Sequence, residues 1–213
     1  MVWQVFWVAL LTDLATGLGA LPFALVRKLS DRWQGLASAL AGGMMLSASV
    51  FTLADKALHQ GHPWRVIAGM VAGALFLAWT ARFIGRNNWQ IQELSAADSR
   101  QSILMLTAMF VHSIPEGVAI GVGYATGELS FGFLLAFAIA IHNIPEGIAV
   151  ALPLRAKGIS VWACFWYAVL TSAPQPLAAV PSYLVVSVFQ PLLPTGLGFA
   201  GGAMIFLVAG EMM

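Results

Sequence analysis

Charge is scarce in this sequence: 9% of its 213 residues are Asp, Glu, Lys or Arg, where a soluble domain carries about 25%. A chain with so few ionic groups has little to present to water. Its 60% hydrophobic content and mean hydropathy of +0.84 assign it to a bilayer. Excess positive charge is absent as well, ten Lys and Arg standing against nine Asp and Glu. That excludes the basic face by which a protein holds nucleic acid. Cysteine is nearly missing. Cys164, alone in an apolar stretch, rules out an intrachain disulfide and a thiolate metal cluster and reads as a small packing residue. A leader's positive charge is lacking before Val5 to Leu11, and apolar sequence continues past Asp13 to Val26, so this segment reads as a retained helix.

Apolar runs of spanning length, roughly 20 residues each, fill the rest. The polar breaks divide the chain into about seven: approximately 3–26, 34–58, 64–85, 102–125, 131–154, 160–188 and 192–213. The expectation is an all-α, polytopic membrane protein with one transmembrane domain over 1–213. Arg27, Lys28, Arg32, Arg82, Arg86, Arg100, Arg155 and Lys157 fall on one side of that arrangement, and only Lys56 and Arg65 on the other. Because Lys and Arg stay in the cytoplasm, the N-terminus is expected outside and the 86–100 linker inside. Trp3, Trp33, Trp64, Trp89 and Trp162 lie near the span ends, where indole suits the headgroup region. The linker holds no His and reads as a solvated connection. Gly69 with Gly73, Gly117 with Gly121 and Gly198 with Gly202 have the spacing that lets helix backbones approach.

The strongest signal is internal. His112-Ser113-Ile114-Pro115-Glu116-Gly117 recurs as His142-Asn143-Ile144-Pro145-Glu146-Gly147, identical at five of six positions after 30 residues. One short turn separates the two copies, so their helices run antiparallel and form an inverted repeat, the arrangement that builds midplane sites in carriers. Within each copy His and Glu are four apart, on one helical face about 5–6 Å from each other. Two such faces offer two nitrogens and two oxygens, a set that suits Zn²⁺. Proline removes the N–H that would bond the carbonyl of Val111 or Ile141, and Gly117 and Gly147 remove bulk where another helix comes close. A carboxylate at the centre of a lipid-facing helix costs at least about 2.5–3.5 kcal/mol. Two of them matched by two histidines imply a shared cationic partner.

Further polar residues interrupt apolar sequence. Ala173-Pro174-Gln175-Pro176-Leu177 in the sixth span reads as a broken helix exposing Gln175 to a cavity. Asp13 in the first span and Glu211 near the end of the seventh are intramembrane acids suited to lining a route. His59 and His62 flank Gly61 in an outside loop and read as ordinary loop histidines.

The paired His-x-x-Pro-Glu-Gly segments resemble the metal-binding core of the ZIP family of zinc and iron transporters. The likeness extends to Ala15–Leu21, Gly43–Ser49 and Gly201–Glu211, across nearly the whole chain, and points to the bacterial branch. It implies eight helices with inverted repeats in the inner (plasma) membrane, a homodimer, and inward movement of a divalent ion. Some members are proposed to be elevators in which the first, fourth, fifth and sixth spans slide against the others. By the same resemblance, His112, Glu116, His142 and Glu146 are the primary ligands. Ser113, Asn143 and Gln175 fall where some relatives provide ligands for a second, bridged metal.

The chain departs from that pattern in four places. Asn143 and Gln175 are neutral amides where two-metal relatives often have Asp and Glu. Two dications about 4 Å apart repel strongly, and only Glu116 and Glu146 remain to bridge them, so one bound ion is expected. Gly210 stands where the family often has His, which weakens Glu211 as an exit residue. Seven helices rather than eight are read in 213 residues.

Zinc is the expected cargo, with Fe²⁺, Mn²⁺, Co²⁺ and Cd²⁺ compatible with the same ligands. Two alternatives belong to other classes. A membrane sensor or storage protein would bind metal without flux. An intramembrane metallohydrolase would need His-Glu-x-x-His, which is absent, and an open coordination position, so no enzyme is expected.

Overall fold

The structure is a computed structural model that describes residues 1–26, 30–60, 62–84 and 96–209. Among the described residues the secondary structure is helical throughout: α1 (Val2–Leu18), α2 (Asp31–Ser47), α3 (Asp55–Gln60), α4 (Pro63–Ile84), α5 (Ala96–Ala125), α6 (Leu129–Ala156), α7 (Val161–Ser172), α8 (Pro174–Val188) and α9 (Leu193–Leu207). A π-helical stretch, Ala48–Ala54, joins α2 to α3.

Among the described residues, six helical stretches are long and apolar enough to cross a membrane: Val2–Ala24, Pro63–Thr80, Met105–Ala125, Leu129–Ala156, Val161–Val188 and Gln190–Leu207. The expected second span is helical but is not one of the six. Gly35, Ser38, Gly42, Gly43, Ser47 and Ser49 dilute its apolar content, and Asp31, Arg32, Asp55 and Lys56 stand near its ends. Trp3, Trp33, Trp64 and Trp162 are all more than 60% exposed at helix ends, while Trp89 and the linker 86–95 lie outside the described residues.

Local chemistry sets the helix limits. Between α5 and α6, Gly127 takes φ +81°, a conformation with little steric cost only for glycine. The Thr126 hydroxyl accepts from Glu128 N at 3.2 Å, closing the turn. α6 ends at Ala156 and the chain turns at Gly158, φ +87°, where Ile159 N donates to Leu154 O at 3.1 Å and Gly158 N to Arg155 O at 3.0 Å, so the last carbonyls find donors. Ser160 then caps α7, accepting from Ala163 N at 3.1 Å. The sixth span is interrupted at Ala173, because Pro174 and Pro176 have no N–H to give the carbonyls of the preceding turn. Pro174 suits the first position of α8 for the same reason. Pro115 and Pro145 do not interrupt their helices; α5 and α6 continue through both.

Backbones meet at glycines. A Cβ on Gly69 or Gly73 would strike carbonyls of α9 (Thr195, Phe199), and one on Gly198 or Gly202 would strike carbonyls of α4 (Val66, Met70). The spacing read from sequence is thus a two-way close packing. Gly117 and Gly121 do the same between α5 and α8, meeting the carbonyls of Gln175 and Ala179. Gly147 of α6 meets the Thr16 carbonyl of α1, and Gly19, just past the end of α1, meets Ile144 of α6. The apolar core has two parts: a larger one holding Ile120, Leu135, Ile139, Leu197 and Met204, and a smaller one holding Phe23, Val150, Leu154, Cys164 and Ala168.

Candidate metal centre

α5 and α6 are antiparallel neighbours joined by Thr126–Glu128. His112 lies 13 residues before Ala125, the last residue of α5, and His142 lies 13 after Leu129, the first of α6. At 1.5 Å per residue both histidines sit about 20 Å from the turn, at one height. Because the helices point in opposite directions, Glu116 lies one helical turn nearer the connection and Glu146 one turn farther from it.

The four side chains converge. Glu116 Oε1 lies 3.1 Å from His112 Nε2 and 2.7 Å from His142 Nε2, and His112 Nε2 lies 3.8 Å from Glu146 Oε1. One ligand atom from each of the four falls within 4.8 Å of all the others. Around a tetrahedral ion with bonds of 2.0–2.2 Å, ligand atoms are separated by roughly 3.3 Å. The three distances bracket that value. None of the four residues is more than 4% exposed. Two carboxylates and two imidazoles removed from water call for a shared counter-charge, of the size that a dication carries.

The remaining residues named from sequence divide. Ser113 is fully buried, its hydroxyl bonded to the Met109 carbonyl at 3.1 Å, so it is turned onto its own helix. Asn143 donates from Nδ2 to the Thr12 carbonyl at 2.8 Å and toward Gln175 Oε1 at 3.3 Å. Its buried Oδ1 has no hydrogen-bond partner among the described residues. Gln175 is fully buried and donates from Nε2 to Glu116 Oε2. The broken helix points the amide at a carboxylate, which offers it more than open space does.

Asp13 is 3% exposed, its Oδ1 without a hydrogen-bond partner among the described residues, and it does not join the four-residue cluster. Glu211 and Gly210 lie outside the described residues. His59 and His62 are exposed, and His59 bonds through Nδ1 to the Asp55 carbonyl at 2.8 Å.

One residue at the site escaped sequence reasoning. The Thr12 hydroxyl shares its hydrogen between the Ala9 carbonyl at 2.7 Å and Gln175 Oε1 at 2.9 Å, while its own carbonyl receives Asn143. The available signal was Thr12 and Thr16 four apart in an apolar helix, a polar stripe facing inward; Thr16 Oγ1 lies 2.7 Å from Ser172 Oγ. The glycine of each Pro-Glu-Gly segment explains how these helices reach the site. Without a side chain, Gly117 admits the backbone of Gln175 and Gly147 admits that of Thr16.

The ZIP zinc transporter family model matches residues 86–213, which include both His-x-x-Pro-Glu-Gly segments. This chain belongs to the ZIP family. It is 37% identical over 216 residues to the zinc transporter GufA of Myxococcus xanthus, covering 96% of this chain and 85% of that protein. It is 39% identical over 202 residues to a putative zinc transporter of Arabidopsis thaliana, covering 93% of this chain and 32% of that one. With the zinc transporter ZIPB of Bordetella bronchiseptica it shares 37% over 217 residues, 93% of this chain and 68% of that protein. The chain thus spans about a third of the Arabidopsis relative and most of the two bacterial ones. ZIP proteins are transporters rather than enzymes.

Proposed function

We propose that this ZIP protein carries divalent metal ions, zinc foremost, across the inner membrane into the cytoplasm, binding one ion at a time between His112, Glu116, His142 and Glu146. The observation that carries the reading is the four-residue cluster itself, buried and drawn in equal shares from two antiparallel helices. Such a site lies between halves of opposite direction, so a shift of one body against another exposes it to either side. Its two nitrogens and two oxygens favour Zn²⁺ while accepting Fe²⁺, Mn²⁺, Co²⁺ or Cd²⁺. Single occupancy follows from charge. Among the described residues only Glu116 and Glu146 bring carboxylates to the cluster, too few to hold two dications close together.

The movement is proposed to be of the elevator kind. Buried polar bonds join α1, α5, α6, α7 and α8: Thr12 to Gln175, Asn143 to Thr12, Thr16 to Ser172 and Gln175 to Glu116. Those helices would travel as one body against α4 and α9, which hold each other through glycines. Asp13, on the same moving helix as Thr12, would line the route, and Glu211 its inner end. The N-terminus is assigned outside and the protein is taken to be a homodimer, the first from the distribution of Lys and Arg and the second from family resemblance.

The test is zinc influx into liposomes loaded with a zinc dye. The parent chain conducts, whereas His142→Ala and Glu146→Ala, folded and inserted as the parent is, lose at least about nine-tenths of the initial rate, a transport-site loss of 1.4 kcal/mol or so. A parent that binds zinc and passes none is a sensor or store and overturns the transport reading.

A further inference from the structure

Glu116 is held at both oxygens. Oε1 faces the two histidine Nε2 atoms at 3.1 and 2.7 Å, and Oε2 accepts a hydrogen bond from Gln175 Nε2. The Gln175 amide is fixed from behind: its Oε1 accepts from Asn143 Nδ2 at 3.3 Å and lies 2.9 Å from Thr12 Oγ1, whose one hydrogen is shared with the Ala9 carbonyl at 2.7 Å. Asn143 is anchored in turn on the Thr12 carbonyl at 2.8 Å. Main-chain carbonyls and carboxylates only accept hydrogen bonds, so the NH₂ groups of Asn143 and Gln175 must be the atoms that face them. Thr12, Asn143, Gln175 and Glu116 are each no more than 2% exposed, so water does not compete for these bonds. Three helices, α1, α6 and α8, therefore act through one amide on a single oxygen of α5.

A carboxylate ligates through one oxygen or two. The bond from Gln175 takes one lone pair of Oε2 and fixes the plane of the carboxylate, so that Oε1 is the oxygen turned toward the other three side chains. Zn²⁺ is satisfied by four ligand atoms, one from each side chain. Mn²⁺ favours six oxygen-rich positions and gains more from a carboxylate that ligates through both oxygens. We propose that the Thr12–Gln175–Glu116 relay is a selectivity device, holding Glu116 to single-oxygen ligation and so favouring a small four-coordinate ion over a six-coordinate one. Thr12 and Gln175 are positioning residues in this scheme and touch no ion. The inference rests on the metal-carrier reading above and adds the residues that set its preference.

The experiment is competitive binding of Zn²⁺ and Mn²⁺ to the full chain purified in detergent, for the parent, Gln175→Leu, Thr12→Val and Thr12→Ser. The splitting of the carboxylate stretching bands in the infrared reports one-oxygen against two-oxygen ligation. Gln175→Leu frees Oε2 and lowers the Zn²⁺/Mn²⁺ affinity ratio about tenfold or more, with Mn²⁺ giving a two-oxygen signature. Thr12→Val shifts the ratio in the same direction by a few-fold, and Thr12→Ser, which keeps the hydroxyl, restores it. Should Gln175→Leu fail to fold, the two Thr12 variants decide. An unchanged ratio, or an equal loss of both affinities without a change in the infrared splitting, makes the relay purely structural and overturns the proposal. A parent chain that binds neither ion overturns the carrier reading itself, an outcome distinct from an unchanged ratio in a parent that binds.

Discussion

At the scale of single residues, one oxygen concentrates the chemistry of the site. Glu116 Oε1 is shared by two imidazole nitrogens, so one oxygen meets both histidines at the place where an ion would join all three. A metal must displace hydrogen from those nitrogens, because ligating imidazole and carboxylate are unprotonated. Protons and metal thus compete for the same atoms. Zinc affinity is expected to fall about tenfold or more as pH is lowered from 7 to 5, measured by titration of the purified chain in detergent. Affinity that stays constant over that window would be incompatible with ligation by His112 and His142. The neighbouring residues divide by what their side chains touch. Ser113 is spent on its own helix, whereas Asn143 and Gln175 are spent on α1 and on Glu116.

At the scale of helices, glycine decides which elements reach the centre. A Cβ on Gly147 would collide with the Thr16 carbonyl, and Thr12, one turn earlier, holds Asn143. Gly147→Val is therefore expected to push α1 away, lowering stability by roughly 1–3 kcal/mol and weakening zinc binding with it. Gly35 in α2 has open space around its Cβ position, and Gly35→Ala should leave binding unchanged while adding up to about 1 kcal/mol of helix stability. Thermal unfolding in detergent with and without zinc separates the two cases; equal behaviour of both variants would contradict the α1–α6 contact. The prolines act less uniformly than their shared chemistry suggests. Pro115 and Pro145 lie within continuous helices, while Pro174 and Pro176 mark a real interruption. Two prolines within three residues remove two N–H donors from one turn, and here a buried amide finds a carboxylate at the break.

For the molecule as a whole, the proposed topology puts the α5–α6 turn outside and the α6–α7 turn inside. In a Cys164→Ala background, Ser130→Cys should react with an impermeant maleimide added to intact cells, and Ala156→Cys only after permeabilisation; both positions are exposed. The reverse pattern would invert the direction of transport. Much of this protein was legible before any coordinates. The scarcity of charge placed it in the bilayer, the repeated His-x-x-Pro-Glu-Gly segments identified the four clustered residues, and the glycine spacings anticipated close backbone contacts. Those features are readable because periodicity and repetition are local properties of a chain. What lay beyond reach was non-local. The sequence marks Gln175 as an interruption but not its partner, since the carboxylate it meets is 59 residues away. Thr12 attracted no notice because its partners lie 131 and 163 residues on. A residue's spacing along its own helix determines the face it occupies, and sequence carries that. Which face of another helix comes to meet it depends on the packing of the whole bundle, and tertiary structure alone decides it.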